Sequence, residues 1–440
     1  MSTNIVILAA GKSTRINSSI PKVMHLIAER EALGYVLESA AKASPDQIIL
    51  VTAPDMEKVR DFASSQIPSI IHAIQEEPLG TADAVKYALP HIKQEGKTII
   101  LYGDAPLVNT STLKNIQNIE ADLVLVAFYT ENPKHYGRVI TYNDDLLEIV
   151  EFNDANDEEK QINLCNSGIY ALSNNHLHQL VNSVKNNNNK KEYYLTDIIK
   201  DAVNQELVCK IHEADENEVM GFNTREELNI LQNYMQQKIK SNLMNNGVTI
   251  INPETTYIAY NFNSGIDVTI YPNVYIGKNV VVGNDVNIHP FSHLEGVNIA
   301  NNCNIGPFAR IRPSTKISAN ARIGNFVEIK NSKIGEGSKV SHLSYVGDCE
   351  MGNNTNIGAG SITCNYDGIA KKSKTIIGNN VSIGSNCSLI APIQINDKAF
   401  IAAGSVVTKN VAAEDLVFAR AKQVNLAGKA KSLRELKNNE

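Results

Sequence analysis

The residues Leu8 to Lys22 read LAAGKSTRINSSIPK, with Gly-Lys-Ser placed directly after the apolar run NIVILAA. A P-loop needs a further glycine five residues before Gly11, and that position is Val6. The loop would then meet a phosphate in some other way, and what it offers are backbone N–H groups near Gly11 and the cations Arg15 and Lys22. A plain turn carrying two solvated charges is the competing reading. Asp104, in YGDAPL, closes another apolar run, where a carboxylate can reach a ligand or cap a helix. The second half holds three histidines, His289, His293 and His342. Of these, only His342 has a polar setting, KVSHLSYVGD. A neutral imidazole there can take a proton near pH 7, although a lone histidine is more often structural.

The elements that must position these residues change character midway. NIVILAAG, QIILVTA, SIIHAIQ, KTIILYGD and ADLVLVAFY are strand-like, and EALGYVLESAAKAS and TADAVKYALPHI between them are helix-like. This alternation predicts an α/β domain with a largely parallel, doubly wound sheet. Ligands bind such sheets at the carboxyl ends of the strands, where the Gly11 loop falls. Thr224 to about Asn245 predicts a linking helix, with Thr224 as cap, Leu228, Leu231, Met235, Ile239 and Leu243 as its apolar face, and Gly247 as its stop.

A six-residue period follows. Ile299, Ile305, Ile311, Ile317, Ile323 and Ile329 form one run, and Ile377, Ile383, Leu389, Ile395, Ile401 and Val407 another. This is the hexapeptide signature of a parallel β-helix. The pairs Asn301-Asn302, Asn353-Asn354 and Asn379-Asn380 suit its corners, because asparagine tolerates left-handed backbone angles. Between Ile362 and Ile376 the period breaks, and TCNYDGIAKKSK predicts an extruded loop serving binding. Arg312 and Lys330 are three hexads apart, which stacks them on one side of a three-sided coil. They form either a phosphate grip or two solvated charges.

The whole chain narrows the field of functions. Its 41 basic and 47 acidic residues give a net charge of −6, which argues against a nucleic-acid partner. No apolar run is long enough for a signal-peptide core or a membrane helix. The six cysteines show no C-x-x-C spacing, so reduced thiols and a cytoplasmic location are expected.

Taken in order, LAAGKSTR…PK, EPLGTADAV, YGDAPLV, YGRV, IVEFNDA, NSGIY, YYLTDII and GFNT, then NFVEIK, SHLSYVGD, NIGAGSITCNYDG and IAAGSVV, the chain resembles a bacterial family. Its members are bifunctional UDP-N-acetylglucosamine pyrophosphorylases and glucosamine-1-phosphate N-acetyltransferases. The resemblance covers nearly the whole chain. It implies a Rossmann-like nucleotidyltransferase domain at residues 1–225, a linker helix at 226–246 and a left-handed parallel β-helix at 247–440. It further implies a homotrimer with acetyl-transfer sites shared between chains.

For uridylyl transfer the resemblance places Leu8, Ala9, Ala10 and Gly11 at the uridine nucleotide and Arg15 and Lys22 at the phosphates. Mg2+ falls to Asp104 and Asn223, Gln75, Gly80 and Thr81 to the base and nucleotide, and Tyr102, Gly103, Gly137, Glu151 and Asn166 to the nucleotide sugar. Glycines 80, 103 and 137 suit close approach of a ligand, or simply turn the chain. Ser13 stands where the family often has glycine. For acetyl transfer from acetyl-CoA, His342 matches the base. Arg312, Lys330, Tyr345 and Asn356 match contacts to glucosamine 1-phosphate, and Ala359, Asn365, Tyr366, Ser385, Ala403 and Arg420 match contacts to acetyl-CoA. Ser385 could steady charge on the thioester oxygen. The product would then meet UTP. Two other layouts compete. One is a single-activity pyrophosphorylase with a structural β-helix, against which His342, Tyr345 and the Asn365-Tyr366 loop stand. The other is a regulatory subunit, against which Arg15, Lys22, Asp104 and Asn223 stand.

Overall fold

The computed structural model describes residues 2–11, 14–143, 145–188, 190–369 and 371–437, so Ser13 and Ala370 of the extruded loop lie outside the described residues. The chain divides into two compact units, Met1–Gln237 and Lys238–Glu440.

In the first unit the five strand-like runs form β1 (Thr3–Leu8), β2 (Gln47–Thr52), β3 (Ile71–Ile74), β4 (Lys97–Tyr102) and β5 (Leu123–Tyr129). A hairpin of β6 (Arg138–Tyr142) and β7 (Asp145–Val150) follows, then β8 (Leu164–Ser173) and β9 (Cys209–Glu213). The main sheet runs β9-β5-β8-β4-β1-β2-β3. All six residues of β1 are buried, because both faces of the sheet are covered. Val6 and Leu8 enter the core under helices α3 (Thr81–Ala88), α5 (Asn174–Ser183) and α6 (Asp197–Asn204). Ile5 and Ile7 enter the opposite core under α1 (Ala32–Lys42), α2 (Glu57–Gln66) and α4 (Thr110–Asn118). The sheet departs from the parallel expectation at β8, which pairs antiparallel with both β4 and β5. A parallel return needs a crossover of a dozen or more residues, usually a helix. Here the β6–β7 hairpin turns the chain round instead, and β8 keeps the reversed direction, pairing antiparallel with β6 at Cys165 and Arg138.

After the short α7 (Glu216–Val219), α8 spans Arg225–Asn245. Its start is a capping box. The Thr224 hydroxyl accepts from the Glu227 N–H at 3.2 Å, and the Glu227 carboxylate accepts from the Thr224 N–H at 3.2 Å and the Asn223 N–H at 2.6 Å. Gly247, at φ +91°, turns the chain out of the helix.

The second unit is the left-handed parallel β-helix. Among the described residues its strands stack into three parallel sheets of 10, 9 and 8 strands. One interior column runs Ile276, Leu294, Ile311, Ile329, Val346, all fully buried. The paired asparagines divide two tasks. Asn302, Asn354 and Asn380 take the positive φ of the corner. The first of each pair accepts a backbone N–H from the preceding coil: Asn301 from Asn284 at 2.9 Å, Asn353 from Glu336 at 2.8 Å, Asn379 from Asn353 at 2.8 Å. The coil interval jumps from 17 residues (Ile334 to Met351) to 26 (Met351 to Ile377), and the excess is the extruded loop. Beyond Arg420 the chain is exposed up to a helix at Lys429–Lys437. Among the described residues no helix is long and apolar enough to cross a membrane.

Candidate functional sites

A cavity of about 570 Å³ lies beyond the carboxyl ends of β1 and β4. Leu8, Ala9, Ala10, Gly11, Lys22, Gln75, Gly80, Thr81, Tyr102, Asp104 and Glu151 all line it. At one end four residues from distant parts of the sequence meet. Lys22 pairs with the Asp104 carboxylate and donates to Asn223 Oδ1 at 2.9 Å, and Arg15 donates to the same oxygen at 3.0 Å. The Phe222 ring centroid lies 5.6 Å from Lys22 Nζ. One carboxylate oxygen and one amide oxygen thus face the Lys22 ammonium together, with the Arg15 guanidinium on the amide oxygen as well. That hard donor set fits a magnesium ion, which takes one or two protein oxygens and leaves its other positions to phosphates and water.

Gln75 is fixed by its own amide, which donates to the Gly80 carbonyl at 3.1 Å and to Asp83 at 2.8 Å. Its oxygen is then the end turned to a ligand's N–H. Gly80 sits at φ +119°, and a Cβ there would lie 2.5 Å from the Tyr193 carbonyl oxygen, so only glycine fits. Gly103 and Gly137 have ordinary backbone angles. Their constraint is space, since a Cβ would press on Val23 and Ala9 at 3.2 and 3.3 Å, or on Ile149 at 3.0 Å.

Glu151 lines the other end, and Gly137 and Asn166 lie beside it, outside the lining itself. Asn166 N–H donates to the Gly137 carbonyl at 2.9 Å, and a Cβ on Gly137 would lie 3.7 Å from both Glu151 and Asn166. Burial pushes the Glu151 carboxyl above its usual range, against the Thr196 hydroxyl that donates to it at 3.2 Å. Burial, with the Glu151 charge nearby, raises the Tyr102 phenol too. Residues that sequence reasoning passed over complete this end. Thr196, in the quoted YYLTDII, orients Glu151. Gly168, in NSGIY, leaves room for the Tyr102 ring, which a Cβ would meet at 2.0 Å. Lys190 and Tyr194 join the lining. Arg138, in YGRV, is buried and donates to the carbonyls of Tyr136, Lys134, Pro133 and Lys160, bracing the loop before Gly137.

In the β-helix the matched residues fall on two lines. The first follows one corner from coil to coil. The Gly360 N–H donates to the His342 carbonyl at 3.3 Å, Asn386 to Ala359 at 2.8 Å, and Gly404 to Ser385 at 2.8 Å, and the Arg420 guanidinium donates to the Ala403 carbonyl at 2.7 Å. His342, Ala359, Ser385, Ala403 and Arg420 are thereby stacked in order. The second line lies on the nine-stranded sheet. Arg312 pairs with Glu328 at 2.8 Å, its N–H bonds Ile329 beside Lys330, and Glu328 is in register with Tyr345. Arg312 and Lys330 do stand one coil apart. Asn365 donates to Tyr345 at 3.5 Å and to Asp348, which ties the extruded loop to this line. Asn356 stands apart on the ten-stranded sheet, in register with Lys339 of the His342 strand.

Three further residues had no signal beyond being polar. Asn325 Oδ1 lies 2.7 Å from His342 Nδ1, a contact that suits the tautomer with its proton on Nδ1 and its lone pair on Nε2. The Lys372 ammonium, in the extruded loop, holds Lys330 below the usual lysine range. Asp348 lies among them. Burial works to raise its carboxyl, but Asn331, Asn365, Lys330 and Lys372 outweigh that and keep it low. His342 is exposed, as are Tyr366 and Arg420.

The family described as Nucleotidyl transferase matches residues 4–216, and the GMPPB C-terminal domain family matches residues 293–393. Relatives match nearly end to end. The Bifunctional protein GlmU of Zymomonas mobilis is 44% identical over 439 residues, covering 98% of this chain and 97% of that one. Its counterpart in Agrobacterium fabrum is 43% identical over 434 residues, covering 98% and 96%. That of Rhizobium rhizogenes is 44% identical over 434 residues, with the same coverage. With relatives of 43–44% identity over nearly the full length, the chain belongs to the bifunctional GlmU family.

Proposed function

We infer that this chain acetylates glucosamine 1-phosphate with acetyl-CoA in residues 247–440 and joins the product to UTP in residues 1–225, releasing pyrophosphate and giving UDP-N-acetylglucosamine. Residues 226–246 link the two. The observation that carries this is the meeting of Arg15, Lys22, Asp104 and Asn223 at one end of a nucleotide-sized cavity.

Two polyanions must meet for uridylyl transfer, so charge neutralisation and alignment dominate. Arg15, Lys22 and the Gly11 backbone hold the triphosphate. Gln75 and Gly80 receive the base, and Gly137, Glu151 and Asn166 orient the sugar so that its phosphate oxygen reaches the α-phosphorus as pyrophosphate leaves. Mg2+ on Asp104 and Asn223 would supply further neutralisation of the phosphates. In acetyl transfer, Arg312 and Lys330 hold the sugar phosphate, with Tyr345 and Asn356 as further contacts. His342 Nε2 takes the amine proton as nitrogen attacks the thioester carbonyl, and the Ser385 hydroxyl donates to the oxygen that gains charge; the C–S bond then breaks, and coenzyme A leaves as its thiol with the proton that His342 had taken. Ala359, Asn365, Tyr366, Ala403 and Arg420 hold the coenzyme.

His342 and Tyr366 are open to solvent on the single chain, which supports a homotrimer whose neighbouring coils complete each acetyl-transfer site. The protein is placed in the cytoplasm, where UTP and acetyl-CoA are made. Paired variants test the division of labour. His342→Ala abolishes acetyl transfer and spares uridylyl transfer, and Asp104→Ala does the reverse. A folded variant that loses both activities overturns the two-site reading.

A further inference from the structure

Lys22 has a second relationship with the site besides holding phosphate. Its ammonium sits on the two oxygens that form the metal donor set, Asp104 Oδ2 and Asn223 Oδ1. Arg15 occupies Asn223 Oδ1 as well. The Lys22 and Asp104 side chains are only 13% and 21% exposed, so water and salt screen the contact weakly. A magnesium or manganese ion on those oxygens would stand about 2.1 Å from each. An ammonium already within hydrogen-bond reach of both would then touch the ion, and two cations cannot share that position. For the metal to enter, Lys22 must leave. Leaving costs it the Asp104 charge and the Asn223 amide, unless an anion takes their place. A triphosphate is such an anion, and it also offers the ion its remaining ligands.

We propose that Lys22 is a positioning residue that excludes the divalent metal from Asp104 and Asn223 until a nucleoside triphosphate draws the ammonium away. Metal and nucleotide then bind with positive coupling, and the coupling is reciprocal. The inference rests on the reading of Asp104 and Asn223 as the metal donors, and it adds an order of events that a simple phosphate-binding lysine does not require.

The test reads Mn2+ binding to the full-length protein by electron paramagnetic resonance, without turnover. Three proteins, each checked for folding by circular dichroism, are titrated with Mn2+ alone and with Mn2+ plus UTP. The parent binds Mn2+ alone weakly, and UTP tightens it. Lys22→Met binds Mn2+ alone at least about tenfold more tightly than the parent, within the range of ordinary coupling energies, and gains less from UTP. Lys22→Arg keeps a cation on the oxygens and behaves as the parent. Unchanged or weaker Mn2+ binding by Lys22→Met overturns the proposal. Adding Asp104→Asn to Lys22→Met abolishes the gained binding. If the double variant still binds tightly, Asp104 is not the donor, and the underlying assignment fails rather than the exclusion step alone.

Discussion

Asp197 shows how a residue's setting, more than its type, decides its behaviour. It opens α6 directly after Thr196, which orients Glu151, and burial together with Asp201 and Asp154 lifts its carboxyl from 3.8 to about 6. A raised carboxyl means that the folded chain binds a proton the unfolded chain has lost. Stability therefore falls as pH rises from about 4 to about 6, and the penalty is fully present above that window. Asp197→Asn should raise the urea midpoint at pH 8 by an amount equivalent to about 1 kcal/mol, discounted for partial solvent exposure, and change little near pH 4. Equal destabilisation at both pH values would contradict this. At this scale the sequence was informative wherever chemistry required a rare type in a telling place, as with Asp104 at a strand end or His342 in a polar stretch. It was silent on Asn325, Asp348 and Thr196. Their roles come from which neighbour they face, and an ordinary polar residue gives no sign of that before the chain is folded.

The linking helix is the element whose local code was most readable. Thr224 and Glu227 exchange hydrogen bonds across the first turn, and the Glu227 carboxylate also fixes the Asn223 backbone. Thr224→Ala should cost about 1 kcal/mol in unfolding of the first unit. It should also weaken uridylyl transfer, because Asn223 is held by the same cap. A variant with lowered stability and unaltered uridylyl transfer would separate the cap from the site. Strand periods were equally plain in β1 and in the hexads, since burial on two faces or one leaves a direct trace in residue type. Direction was hidden for β8. Antiparallel pairing there follows from the β6–β7 hairpin, which reverses the chain before β8 begins. The extruded loop was legible as a break in period, but its anchoring through Asn365 to Tyr345 and Asp348 was not.

For the whole molecule, the two sets of residues proposed to serve consecutive reactions fall one in each compact unit. The stacked faces of a solenoid and the exposed His342 corner argue for assembly. Analytical ultracentrifugation should give three times the chain mass, and a monomer with full acetyl transfer would contradict the trimer. The most direct measurement is mass spectrometry of a single reaction containing the purified protein, glucosamine 1-phosphate, acetyl-CoA, UTP, Mg2+ and inorganic pyrophosphatase. The two-site account predicts UDP-N-acetylglucosamine, with its formation lost on omitting either acetyl-CoA or UTP. Formation of that product only when N-acetylglucosamine 1-phosphate is supplied ready-made would contradict it and leave the β-helix without a catalytic part.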